Sequence, residues 1–191
     1  MRTAILALLC ITTSWVALAD DAPRPAPPFT IMRAGGPPIQ LSQFKGKIVA
    51  LILMNPTCPH CQALTTAMGP VAKEYAPKGV QFLECAFNPN PEELVATFIK
   101  TYQPPFPVGW STDPAVRALL GYSAMDTRLS YVPHMVFLDA HGMIRDDFPA
   151  ESELFKTDVP GTPEIRIRAE LDKLLKAGVA TTAAGAGTKK K

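Results

Sequence analysis

Charge is scarce in this sequence. Asp, Glu, Lys and Arg make up 19% of the 191 residues, and the formal net charge is +2. Arg2 and the terminal Lys189, Lys190 and Lys191 stand apart from the rest; without them 15 basic residues face 17 acidic ones. With that balance a basic nucleic-acid-binding surface is not indicated. No apolar run beyond the first twenty residues approaches the roughly 18 that a membrane span needs. There are four cysteines and three histidines, with no second C-x-x-C and no H-x3-H, so a four-ligand zinc site is not spelled out. No Met-x-Met array points to copper storage, and no internal repeat points to a solenoid. What is abundant is apolar material, at 47%, and proline, at 20 residues. The first provides a core, and the second predicts frequent interruption of helices and strands.

The N-terminus reads as a signal peptide over residues 1–19. Arg2 is followed by the apolar stretch Ala4 to Cys10 and then by Ile11 to Leu18, closed by Ala17-Leu18-Ala19, a small-x-small cleavage signature, and then by Asp20 and Asp21. Cys10 falls within the removed peptide. The mature chain of 172 residues would be exported to a compartment where disulfides persist, the periplasm in a bacterium with two membranes. No stable membrane span would remain after cleavage.

Residues 20–38 carry six prolines and read as an extended, weakly ordered lead-in. Residues 178–191, rich in Ala, Gly, Thr and Lys, read as a disordered tail. One domain, 39–177, lies between. Ile48 to Met54 is an unbroken apolar run and predicts a strand buried on both faces. A helix follows, with Leu64, Ala67, Met68, Val71 and Tyr75 on one face and Pro70 as a kink. Val80 to Phe87 predicts a second buried strand. Asn90-Pro91-Glu92-Glu93 predicts a helix with Asn90 as N-cap and a stripe of Leu94, Val95, Phe98, Ile99 and Tyr102. Asp113-Pro114 opens a shorter helix that Gly121 can close. Pro133 to Leu138 and Met143 to Phe148 flank Asp139-Ala140-His141-Gly142 as a hairpin. Thr162-Pro163-Glu164 starts a last helix, burying Ile167, Leu171, Leu174 and Leu175 and stopping at Gly178. This order implies an α/β fold whose central sheet has helices on both faces.

Cys58-Pro59-His60-Cys61 is the informative motif. It falls between a buried strand and the start of a helix, where free amide donors and the helix dipole favour a thiolate. Two intervening residues bring both sulfurs into the first turn. Protonated His60 would add positive charge, and Pro59 suits the first turn and stiffens it. The pattern predicts an exposed Cys58 that exchanges with a partner and a Cys61 that resolves the mixed disulfide. As a purely structural staple the bridge would close too short a loop to contribute much.

The segment Ile39-Gln40-Leu41-Ser42-Gln43-Phe44-Lys45-Gly46-Lys47, the strand and the C-P-H-C tetrapeptide resemble thioredoxin-like proteins of the TlpA/redoxin type. The tetrapeptide itself is similar to that of DsbA-type oxidases. Tyr131-Val132-Pro133, followed by the hairpin, resembles the family's cis-proline strand. The resemblance spans about Phe29 to Lys176. It implies a mixed sheet, with Asn88 to Tyr122 inserted between the C-x-x-C helix unit and the cis-Pro hairpin. It implies a cis Pro133 packed against the cysteines, a Val132 backbone that pairs with substrate, and Thr57 on the substrate-facing surface. It further implies protein thiol or disulfide substrates, a redox partner protein, and no cofactor or metal beyond the Cys58–Cys61 disulfide. Two departures stand out. The buried acid many thioredoxins carry six residues before the first cysteine is Ile52 here, and the Glu found three residues after the second is Leu64. Glu84, on the adjacent strand, is the candidate replacement.

Cys85 reads as a small core residue, His134 as a substrate- or solvent-facing side chain, His141 as a turn residue, and Phe106 and Trp110 as packing. The leading function is an exported thiol–disulfide oxidoreductase. A Cu(I)-binding metallochaperone-like protein using Cys58, Cys61 and His134 is the alternative, since soft thiolates select that ion. A thiol peroxidase is the third. Peroxiredoxins place Thr or Ser three residues before the reactive cysteine and Pro four before that; the corresponding residues here are Asn55 and Leu51 for Cys58, and Cys58 and Met54 for Cys61.

Overall fold

The computed structural model describes residues 23–156 and 162–186. The expected signal peptide and the first three lead-in residues lie outside the described residues. The elements, in chain order, are β1 (Arg24–Pro25), β2 (Thr30–Ile31), β3 (Ile39–Gln40), β4 (Ile48–Met54), α1 (Pro59–Tyr75), β5 (Val80–Ala86), α2 (Pro91–Tyr102), β6 (Val108–Trp110), α3 (Asp113–Leu120), β7 (His134–Leu138), β8 (Met143–Phe148) and α4 (Pro163–Ala186). The sheet order is β1-β8-β7-β4-β5-β6, with β2 and β3 forming a separate pair. β4 runs parallel to β5 and antiparallel to β7, and β5 runs parallel to β6. This is the mixed sheet of the thioredoxin-like fold.

β4 is buried along its whole length, as its seven apolar residues require, because helices cover both faces of the sheet. Ile52, Met54, Phe82 and Phe137 face α1, α2 and α4 in one core cluster. Val49, Leu51, Leu53, Cys85 and Val136 face α3 in the other. The hairpin turns at Asp139–Gly142, where Gly142 has φ 78°, a left-handed backbone that a glycine adopts without Cβ strain.

Several local expectations are corrected. The lead-in is docked from Arg24 onward: β1 pairs with β8, β2 pairs with β3, and Phe29 and Ile31 are buried. Its prolines suit an edge strand, which needs fewer donors. Gly109 makes room for this segment, since a Cβ there would lie 2.0 Å from the Met32 carbonyl oxygen. Met32 exchanges two backbone hydrogen bonds with Trp110, at 2.7 and 2.9 Å, and Trp110 belongs to β6, a strand that the sequence pattern does not predict. Asn90 lies in the left-handed region at φ 50° and makes no side-chain cap. Leu94 is exposed, and only Val95 and Phe98 of the α2 stripe are fully buried. α4 passes through Gly178 to Ala186, so Gly178 is no stop and residues 178–186 are helical backbone rather than tail. Alanine-rich sequence offsets the roughly 1 kcal/mol cost of one glycine.

Candidate functional site

The end of β4 delivers the chain into a tight turn. Asn55 Oδ1 accepts from Thr57 N at 3.1 Å and from Thr57 Oγ1 at 3.0 Å, and the Asn55 carbonyl accepts from Cys58 N at 3.0 Å. Gln62 Nε2 reaches back to the Pro56 carbonyl at 2.9 Å. The turn fixes Cys58 as the N-cap of α1, with extended backbone at φ −78° and ψ 120°, and Pro59 follows at the first helical position. Cys58 is half-buried at the mouth of the site, whereas Cys61, one turn inward, is fully buried. Cys58, Cys61 and Cys85 are free thiols.

The segment before β7 completes the site. The Val132–Pro133 peptide is cis. The Cys58 thiol donates to the Val132 carbonyl at 3.6 Å. Tyr131 is exposed and Pro133 is buried. A cavity of about 590 Å3 opens beside Cys58, lined among others by His60, Leu64, Ala67, Tyr131, Val132 and Phe155. The structure therefore brings Cys58, Cys61, His60, Val132 and Pro133 together, with exposed Thr57 and Pro59 at the rim. Phe155, from the turn after β8, was not foreseen in this wall; nothing in its local sequence marks it.

Burial dominates the electrostatics. It pushes the Cys61 thiol far above its ordinary range; a backbone hydrogen bond with Asn55 pulls the other way, and Cys58 and Glu84 add to the rise. Burial also pushes Cys85 upward. Glu84 is fully buried and raised to about 8 by desolvation, opposed by a hydrogen bond from Thr65. His134 is lowered to about 4, chiefly by burial.

His134 corrects two expectations. It is neither substrate-facing nor solvent-exposed: it is fully buried, with its ring 6.0 Å from that of Tyr122 in an edge arrangement. Tyr122 belongs to the α3-side core, whereas Cys61 belongs to the opposite one. The sheet thus separates His134 from Cys61, and the three-ligand Cu(I) set of Cys58, Cys61 and His134 is not assembled. Among the described residues no group of three or more His, Cys, Asp or Glu is placed to hold a metal. Phe106 is buried and Trp110 half-buried, as packing residues; His141 is exposed in the hairpin turn.

A sheet ordered in this way, with a cysteine capping α1 beside a cis-proline, defines a redox protein of the thioredoxin fold. The chain belongs to the AhpC/TSA family, whose model matches residues 23–147. Among solved structures it is similar to a thioredoxin-family thiol:disulfide interchange protein from Chlorobium tepidum. The two are 26% identical, with 83% of this chain and 98% of that chain covered and a TM-score of 0.61. It shares its fold with a thiol:disulfide interchange protein from a Bacteroides species, at 18% identity, 78% and 87% coverage and a TM-score of 0.58. It also shares its fold with the thioredoxin domain of a thiol-disulfide oxidoreductase from Bacteroides vulgatus, at 21%, 69% and 89%, and 0.55. Comparison with curated proteins finds no match.

Proposed function

We propose that this protein is an exported thiol–disulfide oxidoreductase acting on protein cysteines through a Cys58–Cys61 dithiol/disulfide couple. The observation that carries the reading is the asymmetry of the pair: Cys58 is accessible at the helix start beside the Val132 carbonyl, and Cys61 is buried one turn behind it. In the reducing direction the Cys58 thiolate attacks a client disulfide. One client sulfur joins Cys58 and the other leaves as a thiolate. Cys61 then loses its proton and attacks Cys58 Sγ, and the second client sulfur leaves, so the client gains two electrons and the protein holds the disulfide. Run backwards, the same steps oxidise a client. Val132 presents backbone to a client segment, and the apolar wall of Leu64, Ala67 and Phe155 receives its side chains. A separate redox protein resets the couple. Export rests on the Met1 to Ala19 pattern; among the described residues no helix is long and apolar enough to cross a membrane.

Insulin reduction in the presence of dithiothreitol, with Cys58→Ser and Cys61→Ser variants, tests the proposal. Normal turnover by Cys58→Ser would refute it. The AhpC/TSA match favours a second reading, a thiol peroxidase. Cys58-dependent consumption of hydrogen peroxide faster than insulin reduction would establish that reading instead.

A further inference from the structure

Ile52, where many thioredoxins carry a buried acid, is the register partner of Glu84 across the β4–β5 ladder. Register partners share a sheet face, so the acid absent from β4 stands one strand over, towards α1. Glu84 is fully buried, and among the described residues only one of its oxygens has a partner: Thr65 Oγ1 lies 2.6 Å from Oε1, while Oε2 has none. Thr65 sits one helical turn after Cys61, and the same hydroxyl lies 2.9 Å from the Cys61 carbonyl oxygen. One hydroxyl proton cannot serve both acceptors. With Glu84 ionised, Thr65 donates to Oε1. With Glu84 protonated on Oε1, the acid donates to Thr65, which donates to the Cys61 carbonyl. Thr65 therefore accommodates both charge states without an orphaned hydroxyl.

We propose that Glu84, held by Thr65, is the proton acceptor for Cys61 during resolution of the mixed disulfide. This rests on the oxidoreductase reading above. Cys61 cannot attack as a thiol. Its proton passes to the Glu84 carboxylate as its sulfur bonds Cys58 Sγ, the bond from Cys58 to the client breaks, and the client thiolate leaves. Glu84 later returns the proton to water, and in the oxidising direction it gives the proton to the departing Cys61 thiolate. Among the described residues no charged side chain acts on Glu84. Its strand neighbours are Ile52 on β4 and Val108 on β6, and the titratable groups it acts on are Cys61 on α1 and Cys85 on the far face of β5. A carboxyl buried in such a place, with one oxygen unpartnered, costs stability.

The test is single-turnover exchange with dithiobis(nitrobenzoate). Cys58 takes one nitrothiobenzoate group and releases one; attack by Cys61 then releases the second, and the rate of that release is followed against pH. In the native protein it should rise with a midpoint near pH 8. Glu84→Gln should slow it at pH 7 by roughly tenfold or more and remove that midpoint. Thr65→Val should move the midpoint upward, and Thr65→Ser should restore it. An unchanged rate and profile in Glu84→Gln, or in Thr65→Val, would overturn the proposal while leaving the redox couple standing. A native protein that binds the first group and never releases the second would instead overturn the couple itself.

Discussion

Cys61 and Cys85 are both fully buried, and burial raises both thiols well above their ordinary range. Their surroundings differ. Cys61 lies one turn behind an accessible sulfur, on the face of the sheet that holds Glu84 and Thr65. Cys85, on the neighbouring position of β5, points into the opposite core among Leu51, Leu53 and Leu119. Burial alone makes a thiol inert; a buried thiol becomes useful when a second sulfur and a proton acceptor share its pocket.

The sharpest way to break this contrast is to remove each sulfur. Cys58→Ser should lower insulin reduction by at least roughly a thousandfold. Cys61→Ser should trap mixed disulfides, visible as client adducts on a non-reducing gel, and Cys85→Ala should leave turnover unchanged. Loss of activity in Cys85→Ala would erase the distinction.

Next in size is the pH dependence of stability. The folded Glu84 value of about 8 lies above its ordinary 4.5, so the folded state holds a proton that the unfolded state releases. Stability from this group is full below about pH 4.5 and declines as pH rises towards 8. Glu84→Gln should remove the decline and, for the reduced protein at pH 8, gain on the order of 3 kcal/mol in urea unfolding. A loss of stability at pH 8 would indicate that the carboxylate contributes net binding.

On the other face His134 works in the opposite direction. Its folded value of about 4 lies below its ordinary 6.5, so stability falls as pH drops from 6.5 towards 4. His134→Leu should flatten that acid limb by about 2 kcal/mol between pH 7 and pH 4. An unchanged limb would mean that other groups govern acid unfolding. The smallest effect concerns Cys85 packing: Cys85→Ala should cost about 1 kcal/mol. Native Cys85 should resist iodoacetamide until urea unfolds the chain, while Cys58 is modified in the folded state.

The parts legible in the sequence were those where one residue pattern had one structural meaning. Seven apolar residues at 48–54 could only be covered on both sides, and Cys58-Pro59 marked both the helix start and the chemistry. Glu84 was visible as the single charge inside an apolar strand. Thr65 was not, because its role depends on the register of α1 over β5 and no local pattern carries that. His134 misled because a fully buried five-residue strand shows no alternation from which to read the facing side. The proline-rich lead-in misled for another reason. Composition marks a linker, but Phe29 and Ile31 suffice to anchor it once Gly109 lets two backbones meet.

That meeting of Met32 with Trp110 bears on how the chain coexists with other polypeptides. β6 ends one side of the sheet, and its backbone groups at Trp110 are occupied by the paired bonds to Met32. β1 ends the other side with only two residues, one of them Pro25, which has no amide hydrogen to offer. An unpaired edge is a template on which a foreign strand can grow. Here one border is already zipped by the chain's own leader and the other is cut short. A strand exposed by a partly folded neighbour therefore meets occupied groups at Trp110 and a prolyl residue at β1, whereas β8 runs on past β1 from Arg145 to Phe148 and sets the charges of Arg145, Asp146 and Asp147 against pairing there.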